Sequence, residues 1–172
     1  MSSFSLDGAV FCVSPASRGP MKVGDTVSIS RTFTAEDVEQ FTAISRDRAP
    51  WHTSPDAAGR FVVHGLLTAA LSTQIGGAIG FMARRFDVTF ALPVFTGDEV
   101  TCTLVVTHLS AAPSAALTSG EATSKTKRPA TRMVADATFT NQHGAVVATI
   151  KCSGVIPRAL DSVLAEDFRA RL

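Results

Sequence analysis

The sequence predicts an α+β fold in which a curved antiparallel β-sheet wraps around one long apolar helix. The first observation behind this prediction is that residues 61–82 contain no Asp, Glu, Lys or Arg. A helix that is apolar on nearly every side has to be covered by other protein. The second observation is that apolar and polar residues alternate in several segments after residue 82, which is the pattern of half-buried strands. An antiparallel sheet around the helix buries both sets of apolar side chains.

The composition indicates a compact protein without a charged binding surface. The 172 residues are 45% hydrophobic. Their formal charge is only +1, so the composition gives no sign of a basic surface that would bind nucleic acid or an acidic membrane. Cys12, Cys102 and Cys152 have neither metal-binding nor redox spacing, and we expect reduced thiols that pack as small apolar residues. No secretory signal opens the chain, and polar residues dilute the apolar stretch. We therefore predict a buried helix in an intracellular protein and no membrane span.

The chain divides into a main domain with three less regular segments. Residues 1–20, rich in Ser, Gly and Pro, are predicted to form a flexible leader. The main domain covers 21–158, and within it 110–131 is predicted to be a flexible excursion because it is small, polar, basic and without periodicity. Residues 159–172 are predicted to form a short amphipathic helix.

The first half of the main domain is predicted to hold a strand and two helices. Val27, Ile29, Arg31 and Phe33 alternate with smaller polar residues and predict a strand over 27–33. Thr34 lies three residues before Asp37, close to a capping box, and predicts the start of a helix that ends near Ser45. The next predicted elements are a loop over 46–53 and a very short helix over 54–59, with Pro55 in the first helical position and Gly59 at its end.

The second half is predicted to hold the long helix and the rest of the sheet. The helix begins near Gly65 and runs towards Gly80. The predicted strands are 86–90, 100–106, 133–140 and 145–156, with a bend over 92–98 and a tight hairpin over 141–144.

Asp47 and His52 are candidates for an acid/base couple. They lie on one short segment that Pro50 keeps out of helical geometry, so a carboxylate and an imidazole can point to the same side of a turn. Asp47 would orient and deprotonate a water molecule, and His52, because histidine titrates near neutral pH, would share that water or return a proton. The alternative is structural: Asp47 caps the turn and His52 fills a surface niche.

Gly65 is a candidate for holding a carbonyl oxygen that gains negative charge. At the start of a helix its N–H is unpaired and lies at the positive end of the helix dipole. The alternative is that the glycine only accommodates packing. The neighbouring His64, taken alone, is typical of a structural histidine. Thr73, two helical turns on, either hydrogen-bonds towards the same site or bonds to its own helix backbone.

Three motifs in order resemble a known family. They are SRDRAPWH at 45–52, VHGLL at 63–67 and LPVFTGDEV at 92–100. Their order and spacing resemble the (R)-specific enoyl-CoA hydratases, the MaoC-like dehydratases of the hot-dog fold, over about 23–106. The resemblance implies a hot-dog domain, usually dimeric. The implied reaction is reversible syn hydration of trans-2-enoyl-CoA to (R)-3-hydroxyacyl-CoA, with coenzyme A as part of the substrate and no metal or redox cofactor.

The resemblance also assigns residues. Asp47 and His52 match the family's catalytic pair, and Gly65 matches the glycine whose N–H polarises the thioester carbonyl. We assign Trp51, His64 and Thr73 to substrate binding, with the acyl tail lying along the helix beside Trp51. The expected partners are an acyl-CoA substrate and a second copy of the chain.

The catalytic turn departs from the family pattern Ser-Gly-Asp-x-Asn-Pro-aliphatic-His at three positions. Arg46 replaces the glycine, Ala49 the asparagine and Trp51 the aliphatic residue. Loss of the asparagine amide is expected to loosen the turn, and Trp51 is large enough to reshape the acyl pocket. Two other functions therefore stay open: a hot-dog acyl-CoA thioesterase, and a non-catalytic subunit that binds acyl thioesters.

The C-terminal residues Ala170-Arg171-Leu172 resemble the small-basic-leucine peroxisomal address. In a eukaryote this predicts a peroxisomal enzyme of fatty-acid oxidation. In a bacterium the expectation is a cytoplasmic enzyme.

Overall fold

The computed structural model describes residues 2–6, 9–13, 21–112 and 130–157. The helices are α1 Ala35–Ser45, α2 Pro50–Thr53 and α3 Gly65–Ala78. The strands are β1 Ser2–Leu6, β2 Ala9–Val13, β3 Thr26–Thr32, β4 Met82–Phe90, β5 Glu99–Ala112, β6 Ala130–Asn141 and β7 Val146–Pro157. Most of the predicted excursion over 110–131, the predicted helix over 159–172 and the terminus Ala170-Arg171-Leu172 lie outside the described residues.

The strands form one antiparallel sheet that curves around α3. Its order is β1-β2-β3-β5-β6-β7-β4. Helix α3 contacts β3 and β5 on one side and β4 on the other, although β6 and β7 separate those strands in the sheet. A flat sheet could not bring both sides to one helix. The predicted architecture is therefore confirmed.

Alternation along the strands builds the core. In β5 the buried side chains are Val100, Cys102, Leu104 and Val106. Cys102 and Cys152, the latter on β7, are both free and buried. Burial raises the pKa of the Cys102 thiol to about 12. These two cysteines pack as small apolar residues, as predicted. The α1 capping box is also confirmed, because the Thr34 hydroxyl accepts the Asp37 N–H and the Asp37 carboxylate accepts the Thr34 N–H.

Two predictions in the first half differ from the structure. Residues 1–20 were predicted to form a flexible leader, but the described part of this segment holds β1 and β2, which pair with each other, and β2 pairs with β3. The very short helix is α2, four residues before the predicted 54–59, because Pro50 takes its first position. In the predicted place, the Asp56 carboxylate instead accepts backbone N–H groups of Ala58 and Arg60 and closes a turn.

Within the described residues, no helix is both long and apolar enough to cross a bilayer.

Gly154 of β7 lies where the sheet leaves no room for a side chain. A Cβ added there would run into the Met82 carbonyl oxygen and lie 2.8 Å from both the Ala83 Cα and the Phe81 ring. Backbone atoms of a paired strand cannot move aside as a side chain can. We expect Gly154→Ala to lower the free energy of unfolding by about 3 kcal/mol, which in a chain of this size lowers Tm by roughly 6–12 °C.

Gly77→Ala is the matched control, measured in the same thermal unfolding experiment. A Cβ on this α3 glycine meets open space, and alanine has the higher helix propensity, so Tm should stay or rise slightly. An equal loss in both variants would contradict the steric explanation.

Candidate active site

The turn that carries Asp47 begins where α1 ends. Arg46 has left-handed backbone angles (φ 64°, ψ 10°), and its N–H donates to the Thr42 carbonyl at 2.9 Å. This conformation favours glycine, so Arg46 makes the bend at a steric cost. Asp47 Oδ1 accepts the Ala49 N–H at 3.1 Å. The carboxylate thus has the turn-capping role that the sequence left open as an alternative. Only Oδ1 takes part in this capping bond.

Backbone groups hold the rest of the turn. The His52 N–H donates to the Ala49 carbonyl at 2.9 Å, and the Ser54 N–H donates to the Pro50 carbonyl at 2.7 Å. None of these bonds uses the side chain of residue 49. Replacement of the family's asparagine by Ala49 therefore leaves a hydrogen-bonded turn in this structure.

His52 is held at both ring nitrogens. Nδ1 lies 2.6 Å from the Val62 carbonyl oxygen, and Nε2 lies 3.0 Å from the Trp51 indole nitrogen. A carbonyl only accepts and an indole N–H only donates, so these partners assign the proton of His52 to Nδ1 and the lone pair to Nε2. His52 is 8% exposed. The ring is therefore fixed with its acceptor lone pair on Nε2, and in this structure the Trp51 indole N–H donates to that lone pair.

Asp47 faces the same nitrogen. Its Oδ2 lies 3.8 Å from His52 Nε2, while the carboxylate is about half exposed. That gap is too long for a direct hydrogen bond, and its length is one that a single water molecule with two bonds of about 2.8 Å can span. The predicted pairing of Asp47 with His52 is present in the geometry.

The third sequence motif, residues 92–100, positions the His52 ring indirectly. The Val63 N–H donates to the Val94 carbonyl at 2.8 Å, and the Thr96 N–H donates to the Phe61 carbonyl at 2.9 Å. These bonds fix the segment over 61–63, whose Val62 carbonyl holds His52. The role of Val62 was not predicted, since a backbone carbonyl leaves no side-chain signal in a sequence.

His64 lies behind the couple and not in the predicted position against substrate. It is 3% exposed, and its ring stacks on the His52 ring with centroids 3.7 Å apart and planes 17° apart. Its Nε2 donates towards the Asp47 carbonyl at 3.3 Å. His64 therefore contacts both members of the couple, and its burial separates it from a ligand in front of them.

Asp47, His52 and His64 are close enough to suggest a metal centre, with one candidate ligand atom of each within 4.8 Å of the others. An imidazole binds a metal in the plane of its ring, about 2.1 Å from nitrogen. Two rings stacked nearly parallel at 3.7 Å cannot both do so for one ion. The arrangement therefore suits proton transfer better than metal binding.

Gly65 opens α3 beside the couple. No described residue accepts a hydrogen bond from its N–H, which points out of the first turn of the helix. A cavity of about 410 Å³ is lined by Gly65 together with Trp51, His52 and Phe90. This volume falls in the range of small-molecule sites. Thr68, buried one helical turn on, lines the same cavity and was not predicted.

Thr73 is not part of this cavity. Eight residues advance a helix by roughly 12 Å and turn it by about 80° beyond two full turns. Thr73 accordingly lines a separate cavity of about 210 Å³ with Phe81 and Cys152, and its hydroxyl donates to the Ala70 carbonyl at 2.7 Å. The predicted contact with the Gly65 site is wrong, and the helix-backbone alternative is the one observed.

The buried His64 is expected to make stability depend on pH. Burial, the largest effect, lowers the pKa of His64; the hydrogen bond to the Asp47 carbonyl partly opposes this, and the nearby His52 adds to the lowering. Near and below about pH 6.5 the unfolded chain therefore binds more protons than the folded one, and the free energy of unfolding decreases as the pH is lowered. We expect Tm to fall less for His64→Gln than for the wild type between about pH 7.5 and about pH 5.5.

The control for this pH series is His143→Gln, which removes an exposed histidine from the β6–β7 turn. Its Tm profile should follow that of the wild type. Equal slopes for all three proteins would show that His64 does not carry the dependence.

Comparison with known proteins identifies the family of this chain. The model of the MaoC like domain matches residues 20–128. The chain is 37% identical to an (R)-specific enoyl-CoA hydratase of Aeromonas caviae over 98 residues, which cover 52% of this chain and 73% of that one. It is 32% identical to a mitochondrial 3-hydroxyacyl-[acyl-carrier-protein] dehydratase of Arabidopsis thaliana over 94 residues, or 51% of this chain and 57% of the relative.

Solved structures agree. An (R)-hydratase from A. caviae involved in PHA biosynthesis aligns with a TM-score of 0.59 and 29% identity, covering 78% of this chain and 96% of that one. The MaoC-like dehydratase from Rhodospirillum rubrum aligns with a TM-score of 0.60 and 20% identity, covering 80% and 93%, and is similar in fold. Since the family model spans more than half of the chain, the protein belongs to the MaoC-like domain family and has its hot-dog fold.

Proposed function

We propose that this protein is a hydro-lyase that reversibly hydrates trans-2-enoyl-CoA to (R)-3-hydroxyacyl-CoA. The observation that carries the proposal is the 3.8 Å gap between Asp47 Oδ2 and His52 Nε2, beside a cavity that Gly65 also lines. A basic pair and an unpaired N–H are what hydration of an activated double bond requires. Similarity to an (R)-specific enoyl-CoA hydratase supports the choice of reaction.

The reaction begins with a water molecule between the two side chains. Asp47 Oδ2 takes one proton while the water oxygen bonds to C3 of the enoyl group, and His52 Nε2 accepts a hydrogen bond from the second water hydrogen. The C2–C3 π electrons move towards C1 and form an enolate. The Gly65 N–H, backed by the positive end of α3, holds the enolate oxygen.

The second step returns the proton. The carboxylic acid of Asp47, with His52 as its partner in proton transfer, delivers a proton to C2 from the face that received the hydroxyl. C1 becomes a thioester carbonyl again and the carboxylate is restored. One water has been added in the syn sense, and the reverse sequence dehydrates the (R)-3-hydroxyacyl thioester. No electron is gained or lost overall, so the step needs no redox cofactor.

A homodimer is part of the proposal. Strand β4 pairs only with β7 among the described strands, and it is an edge strand with exposed apolar residues. These are Met82, Phe86 and Phe90. Exposed apolar side chains on an unpaired edge strand favour association, and a second copy of the chain would cover them. Light scattering is expected to give twice the 18.0 kDa chain mass.

Crotonyl-CoA tests the function with two readouts. The hydratase is expected to remove the enoyl absorbance, to form (R)-3-hydroxybutyryl-CoA by chiral analysis, and to release no free thiol. Thiol release would identify the thioesterase alternative. Binding without turnover of crotonyl-CoA, measured by calorimetry, would identify the non-catalytic subunit.

A further inference from the structure

Trp51 occupies the reactive nitrogen of His52. The indole N–H donates to His52 Nε2 at 3.0 Å, and that is the nitrogen facing Asp47 Oδ2. The imidazole has a single lone pair at Nε2 once its proton lies on Nδ1. A water molecule that bridges Asp47 and His52 needs the same lone pair. The indole N–H and the reacting water therefore compete for one acceptor.

We propose that Trp51 is a latch that holds His52 in the empty site and leaves it when an acyl thioester binds. The inference rests on the proposed hydration, and it adds a positioning residue at the place where the matching family turn has an aliphatic side chain. An aliphatic residue cannot donate a hydrogen bond. The latch is thus a property of this chain's own turn.

The surroundings of Trp51 allow the side chain to move while its backbone stays. Its carbonyl accepts the Val62 N–H at 3.0 Å, which fixes the main chain. The side chain belongs to a residue that is 59% exposed, and its ring meets the His52 ring edge-on at 6.0 Å. Contact is therefore made through the N–H and not through a packed face.

The cavity connects this motion to substrate. Trp51 and Phe90 line the same space of about 410 Å³, so an acyl group entering beside His52 meets the indole. Once displaced, the exposed indole N–H can bond to solvent. The net cost of opening is then small, because one hydrogen bond is exchanged for another.

Kinetics of Trp51→Phe test the latch. Phenylalanine keeps an aromatic ring and removes the N–H, so Nε2 is free before substrate arrives. We expect KM for crotonyl-CoA to fall about 3–10-fold, with kcat within about twofold of the wild type, because a binding-competent state no longer has to be populated. Trp51→Leu, which restores an aliphatic residue, should lower KM as well. If Trp51 only fills space, Trp51→Phe would be neutral and Trp51→Leu would raise KM.

Fluorescence tests the motion directly, because Trp51 is the only tryptophan in the chain. Crotonyl-CoA is titrated into the Asp47→Asn variant, which is expected to bind substrate but to turn it over far more slowly than the wild type, and the emission is read before hydration proceeds. Coenzyme A alone is the control for stacking of adenine on the indole. The latch predicts a shift in the emission maximum with crotonyl-CoA and none with coenzyme A.

The outcomes separate the latch from the proposed function. Unchanged emission at saturating crotonyl-CoA, with binding verified by calorimetry, would overturn the latch even if the wild type hydrates crotonyl-CoA. An emission shift in a protein without hydratase activity would keep the latch as part of acyl-thioester binding and remove the proposed reaction.

Discussion

Asp47→Asn is expected to lower kcat for crotonyl-CoA hydration by about 10²–10⁴-fold, because it removes the group that takes the proton from water. The substitution tests chemistry without breaking the turn. Asparagine retains the side-chain oxygen that accepts the Ala49 N–H, and the volume is the same. KM should change little, since Asp47 contacts the water and not the acyl chain. Initial rates follow from the loss of enoyl absorbance.

Asp56→Asn is the matched control for this substitution. Asp56 also accepts backbone N–H groups in a turn, but its carboxylate forms an ion pair with Arg60 and has no contact with His52 among the described residues. Its kcat should equal that of the wild type. Equal activity in the Asp47 and Asp56 variants would remove the general base from the mechanism.

His52→Gln is expected to give a loss of similar size, since glutamine offers no basic nitrogen opposite Asp47. Residues that act on one water as a unit lose activity together. The double variant Asp47→Asn/His52→Gln should therefore be only slightly slower than either single one. Two independent, multiplying losses would argue against a shared water.

The features that the sequence predicts correctly depend on patterns local to one segment. The charge-free run predicts α3, and its glycine predicts where the helix begins. The first two of the three short motifs contain Asp47, His52 and Gly65, and the resemblance predicts that these residues share one site.

The features that were missed depend on contacts between segments. Val62 acts through its carbonyl oxygen, which every residue has. His64 lies in the motif expected near substrate, yet stacking on His52 places it behind the couple. Thr73 lies about two helical turns after Gly65, as expected, but its side chain is rotated by about 80° around the helix axis relative to Gly65. Trp51 could be predicted to shape the pocket, whereas its hydrogen bond to Nε2 depends on a rotamer that no pattern specifies.

Gly65→Ala is the second substitution with a large expected effect. A Cβ there would lie 2.9 Å from Phe90 Cζ and 3.0 Å from Cε1, so the Phe90 ring, which lines the same cavity as Gly65, has to move. Phe90 is 49% exposed, and a side chain can shift where a paired backbone cannot. We therefore expect a folded protein with nearly unchanged Tm and with kcat/KM lowered about 10²-fold, up to the 10³-fold known for loss of one oxyanion donor.

A double variant separates the two ways in which this methyl group can act. If the displaced ring blocks the substrate, Gly65→Ala/Phe90→Ala should recover most of the activity of Phe90→Ala alone. If the methyl group itself keeps the thioester oxygen from the N–H, the double variant should stay as slow as Gly65→Ala. Gly77→Ala, on the same helix with open space around its Cβ, should keep full activity. Full activity of Gly65→Ala itself would mean that the helix start does not hold the enolate oxygen.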